Sequence, residues 1–414
     1  MKILVIGSGG REHALAHHIS QSEQVEEVFV IPGNDAMANV ATVVRDIDET
    51  DQSKIADFAS SYNIDWVIIG PEQPLIDGLT DVLTAQGIKV FGPNKEAAQI
   101  EGSKSFAKQL MKKYDIPTAA YEIISTKEQA LAFLKNHSAP IVLKQDGLAA
   151  GKGVVVAMTE QDALNAIEEF YADGDTEVVF EEFLEGEEFS LMVFVNEEFI
   201  IPFDCIAQDH KRVYNGDTGP NTGGMGAYCP VTHFDPTILT KTNEQISMPI
   251  SQAMKKEGLE YFGLLYIGVI ITVEGPKVIE FNARFGDPEC QVLLTRLETD
   301  FIDILNALEA KKPIQLSWSE DTVVGVVLAS KGYPKSYIKG VSVEGYDGEL
   351  DYYISGLKQD NGWKTDGGRV MLALGKGRTL EEAVHASYLN VERIKSDGLF
   401  YRTDIAHLGI KNNG

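Results

Sequence analysis

The sequence predicts a multi-domain α/β protein that opens on a parallel sheet with covered faces. Two observations carry this. Over the first hundred residues, short apolar runs alternate with helix-periodic stretches in units of about 30 residues, the pattern of strands joined by crossover helices. From about residue 118 the composition changes to strand pairs with glycine-rich connections. At 414 residues, and with about 100–200 residues per domain, the chain holds two to four domains.

Taken in order, Lys2–Gly7, Glu27–Ile31, Asp65–Ile69 and Lys89–Phe91 read as short buried strands. The stretches 12–21, 51–62 and 74–86 between them have helical spacing. Gly102–Asp115 reads as a further helix, with Phe106, Leu110 and Tyr114 on one face, stopped by Asp115-Ile116-Pro117. Ile141–Lys144 and Val154–Ala157 flank a glycine loop, and a helical stretch, 160–171, precedes the strand Val178–Glu181. Phe189–Val195 and Phe199–Phe203 follow, then a loop, Asp209–Ala227, and a helix around 243–258. Gly268–Val273 and Lys277–Phe281 form a hairpin about the turn Glu274-Gly275-Pro276. A helix near Asp300–Ala310 leads to a polar run, Ser317–Asp321, where a domain boundary is placed. Beyond it lie strands at 323–329 and 369–374 and a helix near 379–395.

Lys and Arg number 36 against 62 Asp and Glu, a net charge of −26. That balance argues against a general nucleic-acid or anionic-membrane binder, which needs basic surface. It leaves room for anionic small molecules held by a few local cations. Cys205, Cys229 and Cys290 are odd in number and widely spaced, as free thiols in a reducing compartment are. The apolar run at the N-terminus is too short for a signal peptide, and no stretch has the length of a membrane span. A cytoplasmic protein is expected.

Three constellations carry chemistry. Gly7-Ser8-Gly9-Gly10-Arg11-Glu12 lies between the first strand and the first helix, where backbone N–H groups meet an anion. The dinucleotide fingerprint requires glycine where Glu12 stands, and an acid at the end of the second strand, where Ile31-Pro32-Gly33 is found. NAD is therefore disfavoured, and a phosphate on Gly9 and Gly10 with help from Arg11 fits better. Gly147-Leu148-Ala149-Ala150-Gly151-Lys152-Gly153 fails the Walker A spacing and lies between strands. A glycine flap over nucleotide phosphates is the better reading, with Lys144 at its root as a point charge. Glu280 and Asn282, two apart on one strand, share a face and offer hard oxygens suited to Mg²⁺. A tight turn, a glycine hairpin and a solvated polar pair are the plain alternatives to these three readings.

Together these segments resemble the ATP-grasp ligases, and among them the phosphoribosylamine–glycine ligase family (glycinamide ribonucleotide synthetases). The resemblance rests on VIGSGGREHA, IIGPEQPL, FGPNKEAAQIEGSK, IVLKQDGLAAGKGV, EEFLEGEEFS, DHKR, TGPNTGGMGAY, VIEFNARFGDPE and GGRV, in one order from residue 5 to residue 370. It implies a Rossmann-like N-terminal domain (1–103), an ATP-grasp core (104–320) with a mobile lobe near 120–188, and a small β-rich C-terminal domain (321–414). It implies ATP as co-substrate, Mg²⁺ or Mn²⁺ as metal, and ligation of glycine to 5-phosphoribosylamine through glycyl phosphate in purine synthesis.

By position, the resemblance assigns Lys104, Lys144, Gly147, Gly151, Lys152 and Gly153 to the nucleotide phosphates, and Glu181, Glu182, Phe183 and Leu184 to adenine. Glu188 would take the ribose hydroxyls, and Glu280 and Asn282 the metal. Arg284, Lys144, Asp209 and Lys211 would be catalytic. Gly9, Gly10, Arg11, Glu72, Asn221, Thr222, Gly223, Arg284 and Asp287 would line the substrate pocket, with Arg369 reaching the same cleft. Without the resemblance, Lys104 reads as one more solvated lysine beside Lys108, Lys112 and Lys113. The sequence departs from the pattern in lacking a carboxylate within Leu264–Val273, in Gln145, and in Asp366 where Asn is familiar. Other ATP-grasp ligases of purine ribonucleotide synthesis, an NAD oxidoreductase and a nucleotide sensor are the rival readings. The expected ligands are ATP, glycine and phosphoribosylamine. The enzyme that supplies the amine is the one protein partner the resemblance suggests, as a transient contact.

Overall fold

The computed structural model describes residues 1–148, 153–349 and 351–413. Strands β1 (Lys2–Gly7), β2 (Glu27–Pro32), β3 (Thr42–Val43), β4 (Trp66–Ile69) and β5 (Lys89–Phe91) form a parallel sheet in the order β3-β2-β1-β4-β5. Ile3, Leu4, Val5 and Ile6 are all fully buried, because helices cover both faces. The strand order reverses at β1, so a crevice opens beyond the ends of β1 and β4, the place where such sheets bind ligands.

Two expected helices are broken. The stretch 74–86 is two helices, Glu72–Asp77 and Leu79–Ala85, separated by Gly78 in a left-handed conformation at φ 94°. Likewise Gly102–Asp115 does not run as one helix: Gln99–Gly102 ends at an extended Ser103, whose hydroxyl accepts from Phe106 N and opens Lys104–Lys113.

Strands β6 (Tyr121–Ile124), β7 (Ile141–Gln145), β8 (Val154–Ala157) and β9 (Val178–Glu182) make an antiparallel lobe, ordered β6-β9-β7-β8. Helices Lys127–Leu134 and Glu160–Phe170 lie with them, and Leu143, Ile167, Phe170 and Phe180 belong to a separate small core. The chain then enters β10 (Glu187–Val195) and β11 (Ile200–Pro202). A loop region follows, built from β12 (Gln208–Asp209), β13 (Arg212–Tyr214), β14 (Thr218–Asn221) and β15 (Gly226–Cys229). The hairpin of β16 (Gly263–Thr272) and β17 (Gly275–Asn282) completes a central sheet, β11-β10-β16-β17.

The C-terminal part contributes β18 (Thr322–Ser330), β19 (Ser342–Val343), β20 (Tyr352–Ile354), β21 (Leu357–Gln359), β22 (Trp363–Thr365), β23 (Arg369–Gly377) and β24 (Leu399–Phe400). Its main sheet, β12-β15-β18-β23-β20, takes β12 and β15 from the loop region, with Gly226 opposite Val326 and Cys229 opposite Val323. Two of the expected loop's segments are thus strands, β12 paired with β15 and β15 stitched to residues a hundred positions later. Among the described residues no helix is long and apolar enough to cross a membrane.

Candidate active site

β1 ends at Gly7 and delivers the helix Gly10–Ser20 to the crevice. Its first amides are engaged from within the protein: Gly9 N donates to Glu12 Oε2 at 2.7 Å and Gly10 N to Ser355 Oγ at 3.1 Å. Glu12 is the anion of this turn, and Arg11 Nε donates to its Oε1 at 2.6 Å. Gly70 is needed for the same reason, since a Cβ there would lie 2.1 Å from Glu12 Oε1. Gly9 and Gly10, expected to meet a substrate phosphate, thus have their amides held from within the protein in this arrangement. Arg11 is buried, and its Nη1 donates to Phe285 O at 3.1 Å.

The nucleotide lobe meets the central sheet through ions. Lys144, on β7, donates from Nζ to Ile279 O at 2.9 Å and lies 3.0 Å from Glu181 Oε1. Lys108 approaches the other oxygen of Glu181 at 3.2 Å and donates to Thr118 Oγ1 at 2.7 Å. Lys108 is only 2% exposed, so it is not one of a solvated row, and burial lowers its pKa to about 8. Lys104 Nζ donates to Gly147 O at 2.7 Å, at the root of the flap. Gly147 has φ 88° with open space around it, and Gly153 O accepts from Gln145 N at 2.8 Å. The proposed phosphate ligands Gly151 and Lys152 lie outside the described residues. Glu181 and Glu182 end β9, and Phe183 and Leu184 continue from it toward Glu188 on β10.

β17 sets the third group. Glu280 pairs with Gly268 and Asn282 with Tyr266, so both project from one face of the hairpin. Glu280 Oε1 lies 3.4 Å from Lys211 Nζ, and Glu188 Oε2 lies 3.5 Å from the same nitrogen. Lys211, with burial to a lesser degree opposing it, holds the Glu280 carboxyl below the usual range. The Asn282 amide, turned to give its nitrogen acceptors, donates to Phe281 O at 3.1 Å and Glu101 Oε1 at 3.2 Å. Its oxygen is thereby turned to the side away from Glu101. A carboxylate and an amide oxygen fit Mg²⁺ in kind, and two protein oxygens with nucleotide phosphates are a usual set for that ion. Among the described residues no group of three or more His, Cys, Asp or Glu side chains could hold a metal alone.

Arg284 follows at once. Its Nη2 donates to Glu101 Oε1 at 2.7 Å and its Nε to Glu72 Oε2 at 3.2 Å. Burial works to raise the Glu72 carboxyl, but Arg284 and Arg11 outweigh it and bring it to about 2. Nearby, burial and the charges of Glu12 and Asp48 push Glu49 up to about 7.

The loop region is fixed from two sides. Toward the cleft, Thr222 N and Oγ1 both donate to Lys211 O, at 2.8 and 2.9 Å. Arg369 Nη1 donates to Gly223 O at 2.6 Å and Asp287 O at 2.7 Å, so Gly223, Asp287 and Arg369 do meet. Asn221 stands opposite Arg212 in the β13–β14 hairpin. Asp366 is 3.3 Å from Lys339, which balances its charge beside Arg369. Burial, then Glu289, pushes the Asp209 carboxyl well up. From behind, the 1%-exposed Arg402 donates to Arg212 O at 2.9 Å and Asp217 Oδ1 at 2.8 Å while pairing with Asp404 at 2.8 Å. Asp404 Oδ2 accepts from Gly216 N at 2.7 Å, and His210 Nε2 accepts from Ala406 N at 3.1 Å.

Three family profiles cover this architecture in order: the phosphoribosylglycinamide synthetase N domain on residues 1–101, the ATP-grasp (A) domain on 102–290, and the C domain on 323–408. A phosphoribosylamine–glycine ligase of Halalkalibacterium halodurans is 48% identical over 419 residues, covering 99% of this chain and 97% of that one. The chain belongs to the phosphoribosylamine–glycine ligase family. The family's crystal structure from Thermotoga maritima superposes with a TM-score of 0.86 at 33% identity, covering 98% of this chain and 100% of that one. A biotin carboxylase domain of Hydrogenobacter thermophilus, solved with MgADP, shares the fold at TM-score 0.72 and 16% identity, covering 100% of this chain and 94% of that one.

Among residues the motifs did not single out for this ligase family's chemistry, Glu101, Glu12, Lys108, Glu49 and Ser355 stand inside the site. Glu101 was within reach of sequence reasoning, three residues before Lys104 in the same EGSK motif. Ser355 was not, since 345 residues separate it from its partner Gly10.

Proposed function

We propose that this ATP-grasp ligase joins glycine to 5-phosphoribosylamine, forming 5′-phosphoribosylglycinamide, ADP and phosphate in purine synthesis. The observation that carries the reading is the convergence of Lys144, Glu280, Asn282, Arg284 and the loop 209–226 on one cleft, in a chain 48% identical to a phosphoribosylamine–glycine ligase along nearly its whole length.

In this reading Lys104, Lys144 and the flap hold the nucleotide phosphates, and β9's exit with Glu188 holds adenosine. Glu280 and Asn282 would hold Mg²⁺ or Mn²⁺, which would neutralise phosphate charge. A glycine carboxylate oxygen attacks the γ-phosphorus and ADP leaves. The amine nitrogen then attacks the acyl carbon, phosphate departs, and the nitrogen loses a proton. Arg284 faces the carboxylate and the acyl-phosphate charge. Lys211, kept charged by Glu280 against the cost of burial, adds a second cation. Asp209, a buried carboxyl two residues before Lys211, lies beside the same cation. Arg11, Glu72, Asn221, Thr222, Gly223 and Asp287 enclose the amine substrate, with Gly9 and Gly10 as a wall. Domain limits at 103/104 and 320/321, a lobe at about 120–188 that closes on ATP, a cytoplasmic setting and a transient hand-over from the amine-supplying enzyme belong to the same reading.

The test is ADP release with Mg²⁺-ATP, glycine, and phosphoribosylamine formed in situ from ribose 5-phosphate and ammonia, each omitted in turn. ADP only with the full set, and a glycinamide ribonucleotide by mass, is the expected result. ADP formed with another carboxylate in place of glycine overturns the substrate assignment.

A further inference from the structure

Glu101 is 8% exposed and lies outside the sheet that carries the metal pair, yet it contacts three consecutive residues of that strand's end. Its Oε2 accepts from Ala283 N at 2.7 Å. Its Oε1 accepts from Arg284 Nη2 at 2.7 Å and, with the Asn282 amide turned so that its nitrogen faces acceptors, from that nitrogen at 3.2 Å. An amide has one face that donates and one that accepts, so a neighbour able only to accept decides which way it points. An ionised carboxylate is such a neighbour. Glu101 takes that part by its geometry: one oxygen accepts from Ala283 N and the other from the Arg284 guanidinium.

We infer that Glu101 is a positioning residue that orients Asn282 so that its oxygen, not its nitrogen, faces the metal, and that it sets the Arg284 guanidinium in the same act. The inference rests on the reading of Glu280 and Asn282 as the metal pair. Outer contacts of this kind change metal affinity by about tenfold to a hundredfold when removed.

Substitution with glutamine makes the logic testable. In Glu101→Gln the side chain has one oxygen for three donors. With that oxygen on Ala283 N, its NH₂ faces Asn282 and turns the Asn282 amide over, nitrogen toward the cation. The carboxylate of Asn282→Asp is indifferent to such a turn, because it has an oxygen on both sides.

The experiment measures Mn²⁺–ADP binding by electron paramagnetic resonance, and metal-free ADP binding by calorimetry, for the wild type, Glu101→Gln, Glu101→Asp, Asn282→Asp, the double variant Glu101→Gln/Asn282→Asp, and Glu280→Gln. Glu101→Gln is expected to weaken Mn²⁺–ADP by about tenfold or more with metal-free ADP unchanged. Glu101→Asp, which keeps both acceptors, is expected between it and wild type. The double variant is expected to bind Mn²⁺–ADP more tightly than either single variant at those positions, a reversal that a general loss of structure does not produce. Wild-type binding in Glu101→Gln, equal loss with and without metal, or no recovery in the double variant overturns the inference. Should Glu101→Gln not fold, Glu101→Asp binding Mn²⁺–ADP like Glu280→Gln overturns it, and near-wild-type binding supports it. If Glu280→Gln itself binds as wild type does, the metal pair is misassigned and the inference falls with it; if only Glu280→Gln loses binding, the metal pair stands and the role of Glu101 alone fails.

Discussion

The two walls of the cleft are held in different ways. The nucleotide lobe has a small core of its own, centred on Leu143, Ile167 and Phe180, and reaches the rest of the protein mostly through polar groups: Lys144 to Ile279 O, Lys104 to Gly147 O, and Lys277 between Glu182 and Glu274. The substrate wall shares its sheet with the C-terminal part and its apolar core with the N-terminal one, where Met225 and Ala227 belong to the same cluster as Ile3 and Val5. Packed interiors resist small displacements, whereas polar contacts between separate cores can be exchanged for water or ligand. The difference teaches that the nucleotide lobe is a unit with its own core, while the substrate wall is continuous in sheet and core with the rest of the protein.

The largest expected effect is on the polar seam. Lys144→Met removes the cation between Glu181 and the β17 carbonyl, and kcat is expected to fall about 10³-fold, near the upper end for loss of one electrostatic group. Steady-state turnover with saturating ATP checks it. Next comes the fastener of the substrate wall. Arg402→Met leaves Asp217 and Asp404 without their shared buried cation, and the unfolding free energy is expected to drop by about 3 kcal/mol in urea titration. The KM for glycine should rise while nucleotide affinity stays near wild type. An equal rise in both constants would erase the contrast between the walls.

Acid provides a third separation. Burial, with the charge of Arg402 next, lowers His210 to about 4, and burial lowers His17 to about 4 and His13 to about 3. Each is neutral when folded and takes a proton more readily when unfolded. Their contribution is complete above about pH 6.5, the unfolded value, and is lost as pH falls toward 4. His210→Gln, which keeps an acceptor for Ala406 N, is expected to remove at most about 3 kcal/mol of that acid sensitivity. Urea midpoints at pH 7 and pH 4.5 measure it. Smallest of all, Lys277→Ala removes a half-buried cation from two exposed carboxylates, Glu182 and Glu274, and is expected to change stability by no more than about 0.5 kcal/mol.

How much of this could be read from the chain follows the same division. The parallel sheet was legible because strands buried on both faces leave unbroken apolar runs, as Ile3–Ile6 and Trp66–Ile69 do. The hairpin carrying Glu280 and Asn282 announced itself by its turn. The strands Tyr352–Ile354, Leu357–Gln359 and Trp363–Thr365 did not, being three residues each and too short for a period to emerge. The helix Glu289–Arg296 was hidden for a different reason: seven of its eight residues are buried, polar ones included, so no exposed face marks its period. Within the site, the glycine loops and motif lysines were visible, but the engagement of Gly9 and Gly10 by Glu12 and Ser355 was not. A turn's glycines advertise free amides, and only the folded chain shows which acceptor arrives first. The break at Ser103 that brings Glu101 under Arg284 was masked by an unbroken helical spacing on either side.

The clamp of residues 402–406 on the loop 209–226 also imposes a timetable on the making of the protein. A chain growing from its N-terminus completes β17, and with it every described strand that borders the nucleotide cleft, when residue 282 has emerged. The substrate wall lacks β18 until residue 330 and its buried arginine until residue 402. A nascent chain therefore acquires a place for nucleotide well before it has one for the molecules that nucleotide is spent on.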